Sequence, residues 1–213
     1  MGKDMELEEK KESLAKLREE ISRCQKCSLA RSRSNTVPGE GNVEAEIMFV
    51  GEAPGFNEDQ QGIPFCGAAG RFLDELLGSI GANRKDVFIA NTLKCRPPEN
   101  RDPLPEEKEA CKPYLDKQIE IIVPKIIITL GKHATETFLP GVGGITKLRA
   151  KLFRRPGNRY FFPLYHPAAA LHNGTLRDTL TQDFNKIPEA LKKVGAETET
   201  ASSKNKEKNL KLF

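Results

Sequence analysis

Five cysteines, three histidines and a glycine-rich run punctuated by acids are the residues of this chain that could do chemistry. Four of the cysteines form a pattern. Cys24 and Cys27 make a C-x2-C knuckle, whereas fifteen residues separate Cys95 from Cys111. Four thiolates can hold a tetrahedral zinc or a 4Fe–4S cluster. Structural zinc usually takes two short knuckles. One short and one wide pair, with Cys111 on a helix, therefore favours the iron–sulfur cluster over zinc. Thiols scattered through a core are the plain alternative. Cys66 stands alone in the glycine-rich run and reads as a small buried hydrophobe.

That run, "GEAPGFNEDQQGIPFCGAAG", covers residues 51 to 70. A connector in an α/β unit needs only a few residues. This one is long and opens where the apolar strand "AEIMFV" ends, the place where open α/β sheets put their active sites. Two other strand ends point at the same edge: Asn91 follows "VFIA", and "LYHP" delivers His166. Each residue has an ordinary reading. Asn at a strand end is a turn residue, His before Pro is a hydrogen-bonded ring, and Phe65 packs under its loop. Together with Glu52, Glu58 and Asp59 they describe a crevice for a planar polar ligand. Phe65 offers a stacking face. The Asn91 side chain offers one donor and one acceptor, matching an imide edge. A carboxylate can orient water or stabilise positive charge.

The elements that would position these groups follow from periodicity. Residues 6 to 22 read as an amphipathic helix on Leu7, Leu14, Leu17 and Ile21. Residues 46 to 50, "DVFIANTL" and "KIIITLG" read as buried strands between turn signals. Phe72, Leu73, Leu76, Leu77 and Ile80 give a helix its core face, with Gly81 as its stop. Residues 104 to 122 read as a helix with a kink or restart at Pro113. "KHATETFL" and "RDTLTQDFNKIPEALKKV" read as helices, "KLFRR" and "RYFFPLYH" as further strands. Strands alternating with helices predict a parallel sheet covered on both faces, an α/β fold.

The length, 213 residues, fits one domain with tails: residues 1–194 as the domain with its N-terminal helix, and residues 195–213, polar and without aromatics until the end, as a disordered tail. Hydrophobic residues make up 38%, enough for a core. No apolar run approaches the ~20 residues of a membrane span. The charged N-terminus is no signal peptide, so the chain is expected in the cytoplasm. Cysteines there argue for metal or redox chemistry rather than disulfides. The net charge of +4 is weak evidence for a polyanionic partner. The segment Lys147 to Arg159 holds six basic residues and no acid, and reads equally as a solvated hairpin or a phosphate-facing patch.

"GEAPGFNEDQQGIPFCGAAGRFLDELL", "NTLKCRPPENR" and "HPAAAL" resemble, in order, the three motifs of the family 4 uracil-DNA glycosylases. The four patterned cysteines fall where that family holds its 4Fe–4S cluster. The likeness covers residues 20 to about 192. It implies a three-layer α/β/α fold around a four-stranded parallel sheet, and excision of uracil from DNA, single- or double-stranded, by a monomer. Cys66 departs from the valine usual there. Covalently crosslinking relatives carry a histidine-bearing basic insertion before the last cysteine; "RPPENRDPLPEEKEAC" has none, so a covalent DNA adduct is not expected.

The resemblance assigns roles residue by residue. The first motif, with Gly51, Gly55, Phe56 and Glu58, lines the base pocket; Phe65 stacks on uracil, Asn91 bonds O4 and N3–H, and the Glu58 region approaches C5. His166 stabilises the anion developing at O2. Glu52 stabilises the sugar cation and positions water, with Asp59 as the second candidate. Cys24, Cys27, Cys95 and Cys111 hold the cluster. By position, Arg96 and Arg101 can reach phosphates, and Leu171, five residues beyond His166, reads either as the side chain that fills the hole left by the flipped base or as a cap on a helix core. Two alternatives stay open: a glycosylase for another deaminated base such as hypoxanthine, and a non-catalytic cluster-bearing nucleic-acid-binding or electron-transfer module. The C-terminal "EKNLKLF" resembles a degraded sliding-clamp peptide, implying a weak clamp contact through Leu210 and Phe213; with two departures from that motif it reads equally as a frayed terminus with chance hydrophobes.

Overall fold

Four apolar runs lie side by side as parallel strands, and their alternation sends side chains to opposite faces. They are β2 (Ile47–Gly51), β3 (Phe88–Asn91), β4 (Ile126–Leu130) and β6 (Arg159–Leu164). A computed structural model describes residues 5–171 and 173–197. The full strand order is β1-β3-β2-β4-β6-β5. The short strands β1 (Glu40–Gly41) and β5 (Phe153–Arg155) add antiparallel edges. The expected four parallel strands therefore form the centre of a six-stranded sheet. The extra edges arise locally: β1 is two residues long, and β5 folds back on β6 through a turn at Gly157 and Asn158, both with positive φ.

Phe49, Ile89, Ile128 and Phe162 face one layer, where α3 (Ala68–Ser79) and α8 (Gly174–Phe184) supply Phe72, Leu76, Leu180 and Phe184. Met48, Val50, Phe88, Ile127 and Phe161 face the other, against Leu115, Ile119 and Ile122 of α4 (Pro105–Ile122). Burial on both faces is why the central strands read as continuous apolar runs rather than alternating ones. α1 (Leu7–Ser22) lies outside α4 and adds Leu17 and Ile21 to a third cluster that includes Cys95, Cys111 and Tyr114. The fold is α/β in three layers.

Three local expectations change. α4 runs unbroken through Pro113. The long loop after β2 contains a short helix, α2 (Phe56–Gln61). After Phe184 the chain turns at 185–186 and continues as helix over 187–197, beyond the Gly195 boundary; Tyr160 Oη donates to Glu197 Oε2 at 2.7 Å. The clamp-like segment 207–213 lies outside the described residues. Among the described residues no helix is long and apolar enough to cross a membrane.

The basic segment 147–159 does not stay together. Lys147, Arg149 and Lys151 precede β5 and, with Lys186, line one hollow near the C-terminal end of β6. Arg154, Arg155 and Arg159 flank the hairpin turn at the opposite end of that strand. The distal three protect an edge strand from pairing, as charged residues commonly do.

Candidate active site

The sheet register pairs Gly51 of β2 with Asn91 of β3. A Cβ at Gly51 would stand 2.4 Å from Asn91 Oδ1 and 2.8 Å from Phe65 Cζ. The glycine is thus what lets a carboxamide and an aromatic ring meet over a strand end. Asn91 is buried, and its Oδ1 is the buried side-chain oxygen without a hydrogen-bond partner among the described residues. Buried acceptors are rarely left so, because desolvation costs about 1–3 kcal/mol. The Asn91 backbone carbonyl is held from behind by the fully buried Lys94, whose Nζ donates to it at 2.8 Å and to Gln118 Oε1 at 2.7 Å.

Phe65 is buried at φ +50°, a backbone state unfavourable for a bulky residue. Its neighbours hold it there. Arg84 donates to the Phe65 carbonyl and, at 2.9 Å, to that of Pro64. Gly70 gives the Phe65 carbonyl room, since a Cβ there would overlap it at 1.5 Å. Glu58 staples both flanks of the loop: its carboxylate accepts N–H groups of Gly55 (3.1 Å), Cys66 (3.0 Å) and Gly67 (3.0 Å). Sequence reasoning missed Arg84, which sits in an ordinary-looking turn with no chemical signal.

His166 follows β6 and meets Phe65 with ring centroids 5.5 Å apart and planes tilted 25°. Ring layers stack about 3.5 Å apart, so the imidazole is displaced sideways by roughly 4 Å and covers only the rim of the Phe65 face. The N–H of Ala168 donates to His166 Nδ1 at 3.1 Å, which puts the ring proton on Nε2. Burial pushes the imidazole down to about 4, so it is neutral at ordinary pH, an Nε2–H donor without a charge. Gly131, at φ +90°, lets the His166 Cβ approach β4.

Glu52 is half-buried directly after β2, and its carboxylate accepts no hydrogen bond from another described residue. Burial raises its carboxyl above the usual range; His133 and Lys108 oppose that, while Asp102 and Glu136 add to it. Carboxylate and imidazole atoms of Glu52, Asp102 and His133 lie within 4.8 Å of one another. Neither Asp102 nor His133 was singled out by sequence. Asp59 is placed differently. It is buried on α2, and both its oxygens accept the Ser34 N–H, at 3.0 and 3.1 Å. It anchors the segment before β1 rather than meeting Glu52.

Of the residues expected to meet DNA, Arg96 lies 5.2 Å over the ring of the exposed Phe56 and donates to Asn100 Oδ1 at 2.7 Å. Arg101 is committed elsewhere: it forms a two-pronged ion pair with the buried Glu107, at 2.9 and 2.6 Å. Leu171 packs half-buried against the core below α7 (Pro167–Ala170).

Cys24, Cys27, Cys95 and Cys111 line one hollow together with Ile21 and Leu93. Arg33 Nη1 donates to Cys95 Sγ and the Lys94 N–H to Cys111 Sγ, both at 3.2 Å. Cys66 lies outside this hollow. It is half-buried rather than buried, with its thiol 3.7 Å from Glu58 Oε1.

Residues 38–192 match the model of the uracil DNA glycosylase superfamily. The chain is 53% identical over 186 residues to a type-4 uracil-DNA glycosylase of Sulfurisphaera tokodaii, covering 84% of each. It is 48% identical over 185 residues to one of Archaeoglobus fulgidus, covering 84% of this chain and 93% of that one. A third, of Thermotoga maritima, is 44% identical over 180 residues, covering 83% and 94%. With the ends of β3 and β6 delivering Asn91 and His166 to the loop residue Phe65, and four cysteines lining one hollow, the chain belongs to the uracil-DNA glycosylase superfamily, among the type-4 enzymes.

Proposed function

We propose that this protein excises uracil from DNA by hydrolysing the N-glycosidic bond, leaving an abasic site. The unpartnered Asn91 Oδ1 carries this reading. Uracil N3–H is the donor that this acceptor lacks, and uracil O4 takes the Asn91 amide N–H. Cytosine has a bare N3 and an amino group at C4, so both contacts become mismatches, each costing about 1–3 kcal/mol. A base inside a duplex cannot reach the crevice and is flipped out. There it stacks on Phe65, within reach of Asn91 and His166. Thymine differs by the C5 methyl and is excluded by the loop that Glu58 holds at Gly55, Cys66 and Gly67.

Breaking the bond sends its electron pair into uracil and leaves positive charge on the sugar. His166 Nε2–H donates to O2 as the anion forms. A preoriented neutral donor stabilises the developing anion with no change in its own charge. The Glu52 carboxylate favours the sugar cation and holds the water that adds to C1′.

Cys24, Cys27, Cys95 and Cys111 are assigned to a 4Fe–4S cluster. N–H groups aimed at two of the sulfurs suit thiolates. The sulfurs are also spread: among the described residues no three lie within the 4.8 Å that joins the Glu52 group. One zinc draws its thiolates closer, at about 2.3 Å each from a common centre. A cluster here shapes the excursion from Cys95 to Cys111 and supports Asn91 through Lys94.

The test is incubation with single- and double-stranded oligonucleotides containing uracil, hypoxanthine or a thymine mismatch, then alkaline cleavage. Strand breaks at uracil are expected in both forms. Cleavage confined to hypoxanthine would overturn the uracil reading, and none at any base would leave a binding module.

A further inference from the structure

Glu52, Asp102 and His133 come from three separate parts of the chain: the end of β2, the excursion between Cys95 and α4, and the first turn of α5 (Lys132–Phe138). Their ligand atoms nonetheless converge within 4.8 Å. His133 Nε2 stands 3.7 Å from Asp102 Oδ2. Ligands bound at about 2.1 Å around one ion are separated by little less than this, so small side-chain shifts complete the geometry. The other ring nitrogen, Nδ1, has Glu136 Oε2 at 3.9 Å. A carboxylate behind a ligating histidine is the usual outer partner that selects which nitrogen faces a metal. The two carboxylates carry the charge that a divalent cation neutralises, and the imidazole offers a nitrogen donor beside them.

We propose that Glu52, Asp102 and His133 form a divalent-cation site, and that a cation bound there shuts off excision. The second half rests on the reading of Glu52 given above. A cation on the Glu52 carboxylate takes the oxygens that hold the water and sets positive charge beside a sugar that is itself becoming positive. The chemical class is a first-row divalent ion that accepts mixed carboxylate and imidazole donors. The excursion carrying Asp102 is bounded by two of the patterned cysteines, so its placement also decides whether the third ligand is present.

Mn2+ is the probe, because it favours oxygen and imidazole over thiolate and so leaves the cysteines alone. Binding to the purified holoenzyme is read from loss of the free Mn2+ signal in electron paramagnetic resonance. Single-turnover excision from a uracil oligonucleotide is measured at the same concentrations. One Mn2+ per chain is expected, with excision falling along the same binding curve. His133→Asn and Asp102→Asn should each weaken binding about tenfold or more, and shift inhibition equally when each variant is normalised to its own metal-free rate. Absorbance near ~400 nm reports that each variant keeps its cluster. Absence of binding, or binding untouched by both substitutions, would overturn the site. Binding without inhibition would overturn the shut-off. Glu52→Gln in metal-free buffer tests the Glu52 role separately: a wild-type excision rate there would refute that role while Mn2+ binding still judged the site.

Discussion

A single Cβ decides whether Asn91 and Phe65 can both keep their places at the end of β2. At Gly51 it would meet Asn91 Oδ1 at 2.4 Å and Phe65 Cζ at 2.8 Å. Gly51→Ala is therefore expected to lower the single-turnover excision rate at least about tenfold, since moving a positioned contact by a fraction of an ångström is enough to do so. A wild-type rate would show that Asn91 and Phe65 tolerate a methyl group between them. Asn91→Asp should slow uracil excision about 10- to 100-fold, the loss of one hydrogen bond in a buried site. It should also admit some cytosine, whose N3 an aspartic acid proton can meet. Cleavage assays on uracil and cytosine oligonucleotides read both effects. His166 gives a pH prediction. Its folded value, about 4, lies below the ordinary 6.5 because burial opposes the charge. The unfolded chain takes the proton first, so this contribution to stability is complete above 6.5 and is lost as pH falls towards 4. Between pH 7 and pH 5 it amounts to at most about 2 kcal/mol. Denaturation midpoints at the two pH values check it, and the difference should shrink in His166→Asn.

At the scale of elements, the loop and α2 separate acids that lie close in sequence. Glu52 directly follows β2, with a carboxylate free of hydrogen bonds from described residues. Glu58 binds three N–H groups, and Asp59 binds Ser34. Glu52→Gln should lose excision by about a hundredfold or more while leaving the unfolding midpoint near that of the wild type. Asp59→Ala should do the reverse, destabilising by about 1 kcal/mol, because the Ser34 N–H loses its acceptor, with excision kept in the folded fraction. Equal effects of the two on excision would return Asp59 to the chemistry. The order of the acids was visible in "GEAPGFNED", but their directions were not, because α2 turns successive residues by about 100°.

For the whole molecule, the hollow of four cysteines stands behind the site instead of in it. Lys94 joins the two, bonding the Asn91 carbonyl while its own N–H donates to Cys111 Sγ. Purified protein should absorb near ~400 nm and contain about four irons. Replacing Cys24, Cys27, Cys95 or Cys111 with alanine should abolish that absorbance, and Cys66→Ala should not. Excision should persist in a chelator that leaves the cluster intact, and full loss there would place a removable metal in the reaction.

The sequence by itself determined the fold class, the succession of the central parallel strands and their main helices, the strand ends that border the candidate site and the cysteines that share a hollow. These are legible because they depend on local periodicity, strand boundaries and spacing along the chain. Tertiary structure alone decided which groups meet. The pairing of Gly51 with Asn91, the hold of Arg84 on a strained Phe65, and the convergence of Asp102 and His133 on Glu52 all join distant segments. So do the commitment of Arg101 to a buried Glu107 and the splitting of the basic segment across both ends of β6. Such contacts arise when the sheet register and the packed helices fix three-dimensional distances, and no periodicity along one chain encodes a distance between two segments that are far apart in it.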